Sequence, residues 1–166
     1  MHSANDEQFM KLAIEEAKLA ATIPGAGAVG CVIVRNGRIV AAGYNEAEMN
    51  CDPTAHAEIV TLRRLGLKEG RIKFDDCTLY VTLQPCTMCT SACVWAGMNR
   101  IVYGASRQDV HSMYFDAKHI DPIDLIKDAY TKSISIGGGV LASECVQLYY
   151  QPQDHPPREA QINIKL

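Results

Sequence analysis

Two β-rich runs, residues 29–35 and 38–44, flank the dipeptide Asn36-Gly37. Asn and Gly adopt the positive φ angles of a type I′ turn with the least strain, so the two runs are expected to fold back as an antiparallel hairpin. After the hairpin the rhythm changes. Ala55, Ile59, Leu62 and Leu65 recur at helical spacing and lead to a stop near Gly66, and residues 78–82 read as a buried strand. Pro85 suits the first turn of a helix running to about Ala96 before Gly97, and Ile101-Val102-Tyr103 is a short strand again. Strands that alternate with helices after an opening hairpin specify a mixed sheet sandwiched between helices.

The flanks extend this pattern. From Asn5 to about Ala21, Phe9, Leu12, Ala13, Ala17 and Ala20 make a helical stripe; Asn5 with Gln8 resembles a capping box, and Pro24-Gly25 ends the helix. Beyond residue 120 the reading is a helix over 121–130, an alternating strand over 133–136, a break at Gly137-Gly138-Gly139 and a final helix over 141–150. Pro152, Pro156 and Pro157 mark the last stretch of the chain as an extended arm, so the expected division is one domain over 1–151 and an arm over 152–166. A chain of 166 residues with 48% apolar and 21% charged side chains suits one soluble globular domain. The opening residues lack the basic start and apolar centre of a secretory leader, and no apolar run spans a membrane, so the expected compartment is the cytoplasm. The net charge of −3 provides no global field to draw in a polyanion. Seven cysteines form an odd set without framework spacing, which points to reduced thiols or metal ligands.

Chemistry concentrates in His56-Ala57-Glu58 and, with 26 residues between, in Pro85-Cys86-Thr87-Met88-Cys89. His-x-Glu is common by chance; Pro-Cys-x-x-Cys is rare, and each motif here stands at an expected helix start. One imidazole and two thiolates suit zinc, fill three corners of a tetrahedron and leave the fourth for water. A helix N-terminus stabilises thiolate through its free N–H groups and dipole. Glu58, two residues after His56, is turned away from the ligand direction and is cast as the proton carrier. Zinc lowers the pKa of a bound water towards neutrality, so Glu58 can take that proton and pass it to a ring nitrogen and to departing ammonia. The chemistry is hydrolytic deamination.

These residues resemble the H-x-E…P-C-x-x-C signature of the cytidine deaminase-like zinc superfamily. With Asp52-Pro53-Thr54-Ala55 ahead of His56, Leu79-Tyr80-Val81-Thr82, Trp95-Ala96-Gly97 and the order of elements, the resemblance runs from about Asp6 to Tyr150. It is to the branch of guanine deaminases, fungal-type cytosine deaminase and tRNA adenosine deaminases. It implies a three-layer α/β/α sandwich with a mixed five-stranded sheet, one zinc per chain, and a homodimer. It also implies that Asn45, in Gly43-Tyr44-Asn45, hydrogen-bonds the substrate ring, that Ala57 faces the substrate, and that Phe115-Asp116 reads a guanine-like edge through the acid. A buried carboxylate accepting from ring N–H and amino donors would penalise analogues lacking them, which favours a free base. Four positions depart from the pattern: Tyr114 and Ala117 flank Phe115-Asp116 where Gly and Asp are usual, Gln84 replaces an acid before Pro85, and Ala28 replaces a proline.

Other readings stay open from sequence. A closed structural zinc site would need a fourth ligand; Cys93, seven residues beyond Cys86, is displaced by roughly 10 Å along a helix and reads as a buried small hydrophobe. Asn45 could be an ordinary turn residue, and Asp116 a loop acid. Tyr114 and Phe115 suit base stacking or packing, and His111 and His119 could border the pocket. Against the free-base deaminase stand a tRNA-editing adenosine deaminase, which would flip its base into the same pocket, and a catalytically silent zinc-stabilised binding module. Residues 132–166 hold three basic and three acidic side chains, which speaks against RNA, and the presence of Glu58 speaks against the silent module.

Overall fold

Asn36 and Gly37 have φ of 50° and 72°, the geometry expected of the turn, and the strands on either side, β1 (Gly27–Arg35) and β2 (Arg38–Asn45), pair antiparallel. In the computed structural model, which describes residues 4–115, 120–130 and 134–156, this hairpin forms one edge of a five-stranded sheet ordered β2-β1-β3-β4-β5. β3 (Thr78–Leu83) runs antiparallel to β1, whereas β4 (Arg100–Ala105) and β5 (Ser135–Gly137) continue parallel to β3. Parallel neighbours need crossovers. Between them lie α3 (Thr87–Trp95), joining β3 to β4, and α4 (Pro122–Ala129), between β4 and β5.

Alternate residues of β1 face opposite sides, and each side has its own core. Val32 and Val34, with Tyr80 and Val102, pack under Phe9, Met10 and Ala13 of α1 (Ala4–Ala21) and against Cys145, Leu148 and Tyr149 near α5 (Ala142–Val146). Cys31 and Ile33, with Leu79 and Ile101, pack against Leu65 of α2 (Ala57–Glu69), Cys93 of α3 and Ile126 of α4. This is the expected three-layer sandwich. A Cβ on Gly30 would collide with the Ala13 carbonyl and lie 2.5 Å from the Ala17 nitrogen, so the glycine lets the backbone of α1 lie directly on β1.

Several local expectations are corrected. Asn5 lies inside α1 and forms no capping box at its start; the residue that matters there is Asp6, 1% exposed. Its carboxylate accepts from the Tyr80 hydroxyl at 2.8 Å and from both Arg100 terminal nitrogens at 2.6 and 3.0 Å, tying α1 to β3 and β4. α2 passes through Gly66 to Glu69, because the left-handed cap is supplied by Gly70 (φ 64°), whose N–H donates to the Gly66 carbonyl at 2.8 Å. Pro85 precedes α3 rather than opening it. The last helix is only Ala142–Val146: Tyr149 turns inward to bond Thr82, and the Tyr150 carbonyl accepts from the His111 N–H at 2.7 Å, which draws the chain off a helical path. The strand expected over 133–136 is Ser135–Gly137, with residues 131–133 outside the described residues. Of the expected arm, 152–156 begins in a turn closed by the Gln151 N–H donating to Asp154 at 2.8 Å, and 157–166 lie outside the described residues. Among the described residues no helix is long and apolar enough to cross a membrane.

Candidate zinc and deamination site

The loop between β2 and α2 is braced before it delivers His56. Asp52 Oδ1 accepts from the Thr54 N–H at 2.8 Å and from the Thr54 hydroxyl at 2.6 Å, and Oδ2 accepts from Arg63 at 3.0 Å. These bonds, led by Thr54, hold the Asp52 carboxyl down at about 2. Arg64 pairs with Glu46 and donates to the Ala42 carbonyl at 3.0 Å, so both guanidiniums fasten the loop to α2. His56 arrives extended (φ −65°, ψ 158°) as the N-cap of α2, and Cys86 stands in the same way (φ −72°, ψ 172°) at the N-cap of α3. Two helices therefore begin at one point beside the C-terminal end of β3. Cys89 follows in the first turn of α3.

His56 Nδ1 lies 3.7 Å from Cys86 Sγ and 3.6 Å from Cys89 Sγ. Ligand bonds of about 2.0 Å to nitrogen and 2.3 Å to sulfur at tetrahedral angles require separations of about 3.6 Å, so the three donors fit zinc. Cys93 is fully buried and is not one of this group, so the fourth corner has no side chain from it. The Cys86 thiol is drawn down to about 4 by the hydrogen bond from the Cys89 thiol and by His56, against burial. Cys89 is pushed up by that same bond and by burial: of two sulfurs this close, one holds the proton, and a cation takes that proton's place.

Glu58, in the first turn of α2, is 4% exposed. Burial lifts its carboxyl to about 7, with the Cys86 charge adding to the lift and His56 opposing it. A carboxyl poised near neutrality both takes and gives a proton readily.

These groups open on a cavity of about 500 Å³. Asn45, at the end of β2, is buried and lines it; its Oδ1 accepts from the Ala47 N–H at 2.9 Å, which fixes the amide plane. Ala57 and Phe115 line it as well. Asp116 and His119 lie outside the described residues. His111 does not line the cavity; its Nδ1 accepts from the Met113 N–H at 3.1 Å and shapes the 3₁₀ turn Ser112–Tyr114.

Sequence reading missed Met113, Ile120 and the side chain of Gln84, all of them in the lining. Gln84 Oε1 accepts from the Arg107 N–H at 2.8 Å, joining the end of β3 to the 3₁₀ turn Arg107–Asp109. Its position next to Pro85 was a usable signal; Met113 and Ile120 carried none, because only the return of the chain across the cavity brings them there.

The family model for the cytidine and deoxycytidylate deaminase zinc-binding region matches residues 3–105. A tRNA-specific adenosine deaminase of Buchnera aphidicola subsp. Baizongia pistaciae is 39% identical over 148 residues, 89% of this chain and 87% of that protein. The guanine deaminase of Bacillus subtilis is 37% identical over 116 residues, 70% of this chain and 74% of that enzyme. A structure from a study of A-to-I editing by tRNA:A34 deaminases superimposes with a TM-score of 0.71 at 30% identity, covering 84% of this chain and 97% of the other. With a signature whose ligands converge and whose acid stands buried beside them, the chain belongs to the cytidine and deoxycytidylate deaminase family of zinc-binding deaminases.

Proposed function

We propose that this deaminase acts on a free heterocyclic base with a guanine-like edge, releasing the exocyclic amino group as ammonia, and that it works as a homodimer. The observation that carries the reading is the set of lining residues that comes from outside the two motifs. Met113, Tyr114, Phe115 and Ile120 line the cavity from a segment that belongs to neither motif helix, giving it an apolar side suited to one planar ring system. The chain's net charge of −3 is consistent with a small substrate rather than a polyanion. Exposed Leu67, Ile72 and Trp95, the last 73% exposed, lie on or next to α2 and α3 and support a second copy as partner.

His56, Cys86 and Cys89 hold the zinc, which when bound supplies the Lewis acidity that makes water a nucleophile at neutral pH. Glu58 receives the proton released as the new C–O bond forms at the amino-bearing carbon. It gives that proton to the ring nitrogen, then takes the proton of the newly added hydroxyl and passes it to the amino group as the C–N bond breaks and the carbonyl forms, so that ammonia leaves. Asn45 donates from Nδ2 to an acceptor on the ring, and Asp116 accepts from ring N–H and amino groups. The similarity over 89% of the chain to a tRNA-specific adenosine deaminase favours a second reading, deamination of an adenosine in a tRNA loop.

Ammonia release from a panel of purine and pyrimidine bases by zinc-replete protein, with Glu58→Gln as control, tests the proposal. Turnover of an aminated free base, abolished in the control, is expected. Silence on every base together with inosine formation in tRNA establishes the second reading instead.

A further inference from the structure

Tyr114, one of the residues that line the cavity, is fastened through a chain of contacts that starts in the middle of the sheet. Thr82 of β3, fully buried, accepts from the Gly30 N–H at 3.1 Å and shares a 2.6 Å hydrogen bond with the Tyr149 hydroxyl. The Tyr149 ring, itself buried, meets the Tyr114 ring edge-on with centroids 5.3 Å apart. One residue further, the Tyr150 N–H donates to the Tyr114 hydroxyl at 3.1 Å, and the Tyr150 carbonyl accepts from the His111 N–H. Tyr114 is thus held at its hydroxyl and on its ring, and it is one of the residues that line the cavity.

We propose that Tyr114 is a specificity-determining residue whose ring, fixed by Tyr149 and Tyr150, narrows the cavity to a bare planar base and keeps out the same base carrying ribose. This rests on the free-base reading above. The physical case is that an aromatic side chain held at both ends loses little further freedom when a base packs on it. It also cannot swing aside for a sugar without breaking the Tyr150 bond and the Tyr149 contact. Thr82 and Tyr149 act through Tyr114 and are positioning residues.

The test is steady-state kinetics of the zinc-replete enzyme on its best free base and on the matching nucleoside. For Tyr114→Gly, KM for the base is expected to rise about tenfold with kcat changed less than about threefold, and kcat/KM for nucleoside relative to base to rise at least about tenfold. Tyr114→Phe keeps the ring and is expected to retain most of the discrimination. Thr82→Val, which frees the Tyr149 hydroxyl, is expected to shift KM in the same direction by a smaller factor, with one zinc per chain still bound. Unchanged KM and an unchanged nucleoside-to-base ratio in Tyr114→Gly overturn the proposal while leaving the free-base reading intact. A wild-type enzyme that deaminates a tRNA adenosine but no free base overturns that reading, and with it the exclusion of ribose.

Discussion

Residues 27–105 and the described residues of 107–151 both contribute to the lining of one cavity, by different means. The first stretch uses strands of nine, eight, six and six residues and helices of thirteen and nine. Among its described residues the second uses two three-residue 3₁₀ turns, a helix of eight, a strand of three and a helix of five. Long elements packed on both faces of a sheet hold His56, Cys86, Cys89 and Glu58 where small displacements would spoil metal geometry and proton transfer. Short elements placed by a few hydrogen bonds can exchange side chains without disturbing that frame. On the proposed reading, chemistry resides on the first, rigid stretch, which also brings Asn45 to the substrate ring, and discrimination between substrates falls mainly to the second, adaptable one.

Variants can break this division. Glu58→Gln should lower kcat by about 10³-fold, and by the same factor on every base the enzyme accepts, with zinc content unchanged. Factors that differ by more than about tenfold between bases would show that the rigid stretch also selects the substrate. Phe115→Ala, on the adaptable stretch, should raise KM about tenfold for some bases and barely for others; a uniform loss in kcat would contradict the division from the other side.

Stability variants sharpen it. Arg100→Met leaves the Asp6 carboxylate buried beside Tyr80 without this cation, and since Arg100 is itself partly exposed the expected loss is about 2 kcal/mol in chemical denaturation. The ratio of rates on different bases should not move. Tyr80→Phe is the subtlest. Burial, and then the hydrogen bond to Asp6, push the Tyr80 phenol up to about 12. The folded state therefore keeps a proton that the unfolded chain gives up near pH 10. That stabilisation is complete below pH 10 and is lost as the pH rises through 12. The stability gap between wild type and Tyr80→Phe should narrow between about pH 10 and pH 12; a constant gap would place the Tyr80 effect outside its ionisation.

How far the sequence can be read depends on how local each determinant is. The Asn36-Gly37 turn, the helix with Pro122 at its start, and the two motifs at helix starts are set within a few residues, and each is found where expected. Gly66 reads as a stop because a glycine inside a helix looks like its end; packing keeps α2 going until Gly70 supplies the left-handed turn. Asp6 looks like one more wet acid of an amphipathic helix, since its partners Tyr80 and Arg100 lie 74 and 94 residues away. The last helix is shorter than its local pattern suggests because the bond from Tyr149 to Thr82, spanning 67 residues, leaves no trace in local periodicity.

By itself, then, the sequence determined the donor set, the acid beside it, the strand and helix order, and the resulting membership of a zinc deaminase family. All of these rest on residue chemistry and on spacings of a few positions. Only the tertiary structure decided that the two helix starts meet at a separation zinc can bridge, that Glu58 is buried enough to titrate near neutrality, and that Tyr114 faces the same cavity. Desolvation and convergence are properties of distances through space, and no stretch of chain carries them until the sheet has brought its distant parts together.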